Sequence, residues 1–145
     1  MVIAGLWRLE EDGITRPLIE IEVSVAGNNA VNEWFLVDSG ADCTVFTSRL
    51  LARLALGLDA LGVGSQLLGL GGESESVVFE ATLQLETIEG GTAAISGKFL
   101  AATTPMALDV SILGRDVLAN FDVIVSRRRN DVLLLASNHA YAVTG

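Results

Sequence analysis

Cysteine, histidine, proline and positive charge are all scarce in this chain. Its 145 residues include one cysteine (Cys43), one histidine (His139), two prolines, and nine Lys plus Arg against eighteen Asp plus Glu. One cysteine cannot close an internal disulfide, so a reducing, cytoplasmic setting is the expectation. One Cys and one His without ligand spacing make no metal motif, and neither a metal nor another cofactor is expected. A formal net charge of −9 leaves no broad basic face for phosphates, so nucleic acid is not an expected partner. The one basic cluster, Arg127-Arg128-Arg129, is followed by Asn130-Asp131 and sits between two apolar runs. It reads as a solvated hairpin turn, the competing reading being a patch for RNA or an anionic surface. No apolar run approaches the roughly 18–20 residues of a membrane span, and Met1 to Arg8 lacks the pattern of a signal peptide. No membrane association is expected.

What the chain does have is apolar residues, in quantity and in pattern. Half of its residues are hydrophobic and no tract is of low complexity, which excludes disorder. The length suits one domain, residues 1–145, able to bury about two-thirds of its unfolded surface without disulfides. Ile19, Ile21, Val23 and Val25 alternate on one face of a strand that starts at Leu18. Gly27-Asn28-Asn29 supplies turn chemistry, and Glu33 to Val37 makes the return strand. Val77 to Ile88 alternates again, with Val77, Phe79, Ala81, Leu83 and Leu85 on the inner face, and Glu89-Gly90-Gly91 turns the chain into Thr92–Ala102. Phe121–Ser126 and Val132–Ala136 bracket the arginine turn as a hairpin. Helix is scarce. Thr47 or Ser48 caps a short helix over Arg49–Leu56, with Gly57 as its stop, and a second follows Gly114 over Arg115–Asn120. Many short strands with glycine turns predict an all-β barrel or sandwich.

The segment Trp34-Phe35-Leu36-Val37-Asp38-Ser39-Gly40-Ala41-Asp42-Cys43-Thr44-Val45-Phe46 carries the chemistry. A strand that delivers a carboxylate into a turn, with apolar residues on both sides, puts charge where water is scarce. That is costly unless the charge is paired, hydrogen-bonded or shared. Two later segments belong with it: Leu67-Leu68-Gly69-Leu70-Gly71-Gly72-Glu73-Ser74, and Ser111-Ile112-Leu113-Gly114-Arg115-Asp116-Val117-Leu118. Together these resemble the retropepsin-like (retroviral-type) aspartic proteases, over about Arg16 to Ala136.

The resemblance implies an acid protease barrel with one lobe per chain, in which Asp38 is catalytic and Ser39 and Gly40 support the active site. The first glycine-rich segment would be the flap. Ala41, Asp42, Gly69, Leu70, Gly71 and Gly72 would bind a peptide substrate. Asp42 and Arg115 would form a structural ion pair, and the terminal strands an inter-subunit sheet. Peptide hydrolysis of this kind needs two carboxylates sharing a proton, one acting as base and the other as acid. Asp-Ser-Gly occurs once, so the second Asp38 must come from a second copy, and a homodimer is expected. A non-catalytic dimerisation or peptide-binding module on the same barrel is the competing function. Two features depart from the family pattern: the length from Thr47 to Gly64, and a flap without an aromatic that carries Glu73 and Glu75. Cys43 reads as a small core residue, and a Cys43–His139 thiol pair is set aside because His139 lies in a polar tail. Trp7 and Trp34 read as packing residues. The glycines are not a phosphate loop, since no Lys-Ser/Thr follows them.

Overall fold

The computed structural model describes residues 1–26, 30–55, 62–63, 67–69, 72–136 and 140–144. The first predicted hairpin is present as β3 (Thr15–Ser24) paired antiparallel with β4 (Val31–Val37), Ile19 opposite Phe35 and Val23 opposite Val31. Its turn residues, 27–29, lie outside the described residues. The inner face carries Ile19, Ile21 and Val23, all at 0% exposure, as the alternation requires. Leu18, on the opposite face, is buried as well, which alternation alone does not predict.

The second hairpin, β9 (Ser76–Glu86) with β10 (Thr92–Ala102), is in register from Glu86–Thr92 to Ser76–Ala102. The strand stops before Ile88, which stands in the turn and is exposed. Two short strands complete the barrel. β5 (Val45–Phe46) runs parallel to β10, and β11 (Ser111–Leu113) lies between β4 and β5, parallel to the first and antiparallel to the second. Pairing of Glu22, Val23 and Ser24 with Gln84, Leu83 and Thr82 joins β9 back to β3. The six-stranded circuit β3-β4-β11-β5-β10-β9 therefore closes on itself and leaves few raw edges. Phe46 fills the centre, with ring centroids 5.3 Å from Phe35, 5.0 Å from Phe79 and 5.7 Å from Phe99. The first two contacts are edge-on, the geometry that ring quadrupoles favour.

Outside the barrel, β1 (Val2–Ala4) and β12 (Phe121–Ser126) flank β13 (Asp131–Ala136) in a three-stranded antiparallel sheet. The terminal strands expected to join two subunits thus pair with each other inside one chain, and β12 is left as an outer strand. The arginine turn falls where predicted, at 127–130 between β12 and β13, with Asn130 at φ 61°. Arg127 lies over the Trp7 ring at 5.4 Å, so that arginine is partly a packing residue. Trp7 belongs to β2 (Leu6–Leu9), which pairs with the start of β3, and packs against the core; Trp34 is half-buried beneath Arg8.

Helix α1 (Ser48–Arg53) starts as read, Thr47 Oγ1 accepting the Leu50 N–H at 3.2 Å. It ends before Gly57, with Leu54 as the cap and Ala55 at φ 53°; residues 56–61 lie outside the described residues. Helix α2 (Arg115–Leu118) is one turn long, shorter than the predicted Arg115–Asn120. β6 (Gly62–Val63) pairs with β9, and β7 (Leu67–Gly69) with β8 (Gly72–Ser74).

Candidate active site

Asp38 follows the last residue of β4. The strand buries Phe35 and Val37, and its end is fixed from the side: Asp38 N donates to Leu113 O of β11 at 3.2 Å. The turn then folds on the carboxylate. Gly40 N donates to Asp38 Oδ1 at 2.9 Å, and Ala41 N to Asp38 O at 3.2 Å. A Cβ at position 40 would lie 3.1 Å from that same Oδ1, so glycine is what allows the close approach. Asp38 is half-buried, while Ser39, Gly40, Asp42 and Cys43 are exposed. A single chain therefore presents this turn at its surface and does not enclose the charge as the sequence suggested. Cys43 differs from its reading as a core residue for the same reason: the backbone there is packed, but the side chain points out.

The packing partner is Gly114. A Cβ on it would meet Cys43 C and O at 2.4 Å and Thr44 N at 2.8 Å, all backbone atoms that cannot move aside cheaply. This contact lets α2 dock under the turn, where Arg115 N donates to Ala41 O at 2.9 Å and Asp116 N to Asp42 O at 3.2 Å. The Arg115 guanidinium also bonds the Asp42 carboxylate. Those side chains are 59% and 79% exposed, so the expected ion pair is present but in one chain is a screened surface pair worth about 0–1 kcal/mol.

Two residues that sequence reasoning passed over hold the same crossing. Thr44, at 0% exposure, donates through N and Oγ1 to the Asp116 carboxylate, and its hydroxyl accepts Gly114 N at 3.0 Å. A hydroxyl inside an apolar run, and an acid directly after Gly-Arg, were the available signals. Of the proposed substrate-binding residues, Ala41 and Asp42 lie on the turn, and Gly69 pairs with Gly72 across the β7–β8 hairpin. Leu70 and Gly71 lie outside the described residues.

On β4, Glu33 ties the strand to α1 and β11. Its Oε2 accepts from Arg53 at 2.6 Å, its Oε1 lies 3.4 Å from the buried Ser111 hydroxyl, and that hydroxyl accepts Thr47 N at 3.1 Å. Burial pushes the Glu33 carboxyl above its ordinary 4.5, with the charge of Arg53 offsetting part of the rise. A raised folded pKa means that Glu33 contributes stability fully below about pH 4.5 and loses it as pH rises through the folded value. Wild type should therefore gain stability relative to Glu33→Gln as pH falls from about 7 to about 4.5. Melting temperatures of both proteins across that range check it, and a constant difference would refute it.

A family model of aspartyl proteases matches residues 21–117, two-thirds of the chain, from within β3 through the Asp38 turn to α2. The chain belongs to the aspartyl protease family. Among solved structures, the chain is similar to the EIAV protease complexed with the inhibitor HBY-793, at 28% identity and TM-score 0.52 over 72% of this chain and 86% of that one. It shares its fold with a retropepsin-like aspartic protease from Rickettsia conorii, at 21% identity and TM-score 0.59 over 92% and 97% of the two chains. No curated protein matches it. The fold is accordingly the retropepsin-like all-β barrel, one lobe per chain.

Proposed function

We propose that the chain is an aspartic endopeptidase working as a homodimer, in which Asp38 from each copy forms one proton-sharing pair. The observation that carries this reading is the Asp38-Ser39-Gly40 turn: one carboxylate at the end of a buried strand, fixed by main-chain bonds to Gly40 and Leu113. It occurs once, in a chain of a protease family. Two carboxylates about 3 Å apart cannot both ionise easily, so one remains an acid while the other is a base. The ionised carboxylate draws a proton from water as that water attacks the peptide carbonyl. The protonated one donates to the carbonyl oxygen, and no cofactor is needed.

The outer sheet supports two copies. On β13, Val132 and Leu134 are 1% and 0% exposed, but their register partners on β12, Val125 and Val123, are 42% and 36% exposed. An apolar layer that is buried on one strand runs out into water on the next, and among the described residues β12 is the outer strand, an edge that a second β12 would pair with. Antiparallel self-pairing there sets Asp122 of one copy toward the arginine turn of the other. The β7–β8 hairpin is read as the flap, closing on an extended peptide held like an added strand. Ser39 braces the two turns, and Gly40 leaves room for the substrate backbone. Exposed Cys43, the lone cysteine, suits the cytoplasmic setting we propose.

Digestion of an extended-peptide library at pH about 4–7, with and without a pepstatin-like inhibitor, tests the activity. Inhibitor-sensitive internal cleavage is expected. A dimer that binds peptides without cutting them would instead be a peptide-binding module, and a strict monomer could not assemble the pair.

A further inference from the structure

We infer that Asp116 is a positioning residue for the catalytic turn, acting through Thr44; this rests on the peptidase reading above. Residues 38–44 carry Asp38 out of β4 and return the chain to β5. The first half of this loop is held from within, by Gly40 N and Ala41 N bonding to Asp38. The second half is held from outside, by one carboxylate. Asp116 Oδ1 accepts Thr44 Oγ1 at 2.7 Å, Thr44 N at 2.9 Å and Val117 N at 2.9 Å, and Oδ2 lies 3.0 Å from Thr44 N. The Thr44 hydroxyl extends the link by accepting Gly114 N. Entry to β5, the glycine after β11 and the start of α2 are thereby tied together. The tied segment in turn offers Arg115 N to Ala41 O and Asp116 N to Asp42 O, which fixes the height of the turn carrying Asp38. Catalytic groups must sit within about 0.5 Å of the productive geometry. An error of about 1 Å can cost about 10²-fold in rate.

The bonding pattern separates shape from charge. The three donors converge on Oδ1, so an amide oxygen at position 116 can keep them, while the charge is lost and the amide NH2 replaces Oδ2, which also accepts from Thr44 N. Asp116→Asn should therefore hold kcat within about threefold of wild type. Asp116→Ala should lower kcat by about 10–100-fold with a smaller change in KM, because the turn shifts but no substrate-contacting side chain is removed. If Asp116→Ala does not fold, Thr44→Val against Thr44→Ser reads the same link, with loss expected in the first and retention in the second. A second readout is amide hydrogen exchange at residues 41–44 and 114–117, faster in Asp116→Ala and unchanged in Asp116→Asn. Exchange needs no turnover, so a wild-type chain that cleaves nothing would remove the peptidase reading while the exchange still tested the link. Equal loss of kcat in the Asn and Ala variants, or wild-type kcat and exchange in Asp116→Ala, overturns the inference.

Discussion

Asp38→Asn is expected to lower cleavage by about 10²–10⁴-fold or more while the barrel stays folded. Both halves of the effect follow from the geometry. The amide has the same shape as the carboxylate, and its oxygen can still accept Gly40 N, so the turn keeps its main-chain bonds. Asp38 N to Leu113 O and Ala41 N to Asp38 O do not involve the side chain at all. Stability should stay within about 0.5 kcal/mol of wild type, the usual range for a substitution away from the core. What is lost is proton transfer, because an amide is neither a base for water nor an acid for the carbonyl oxygen. In a two-fold dimer the substitution strikes both members of the pair at once. Initial rates on a cleaved peptide, with a thermal melt of the same sample, measure the two halves together. Wild-type rates in the variant would end the aspartic mechanism.

Lysines at both Val123 and Val125 are expected to split the dimer and, with it, the active site. These valines face water in one chain, so the change should leave the monomer fold alone. At the proposed interface they would be covered, and fully burying one valine is worth about 1.5–3 kcal/mol. Residues near a two-fold axis meet their own mates, so the new ammonium groups would also face each other and the partner's arginine turn. Lysine is chosen over glutamate because a glutamate could pair with Arg127–Arg129 across the interface. A dissociation constant weakened by about 10²–10³-fold corresponds to about 3–4 kcal/mol. Activity should fall at low concentration and return as the concentration is raised, because assembly follows mass action. Sedimentation and rate measurements over one dilution series read both. An unshifted dimer would place the interface elsewhere on the chain.

Legibility in the sequence followed the range of the interaction. The period-2 strands Leu18–Val25 and Val77–Ile88 were visible because alternation is local and one face of each must be buried. The cap of α1 was visible because Thr47 bonds a backbone group three residues on. β11 shows the opposite case. Its three residues signal little by themselves, yet they pair with Phe35–Val37, some seventy-six positions earlier in the chain, and so pin Asp38. β1 and β2 gave no signal for similar reasons, being short strands whose partners decide them. The Asp116–Thr44 bonds span 72 positions and no local rule announces them.

By itself, then, the sequence determined the chemistry on offer: one Asp-Ser-Gly turn per chain, set among alternating strands. Residue identity and near-neighbour spacing are enough for such conclusions, because they rest on side-chain chemistry and on the period of the strand. Only the tertiary structure decided what surrounds the acid. It supplied the main-chain bonds by which Leu113, Arg115 and Asp116 hold residues 38–44, left the turn at the surface of one chain, and drew the terminal strands into one sheet with β12 at its edge among the described residues. Those outcomes depend on which distant strands pair, and pairing is settled by how the whole apolar core closes.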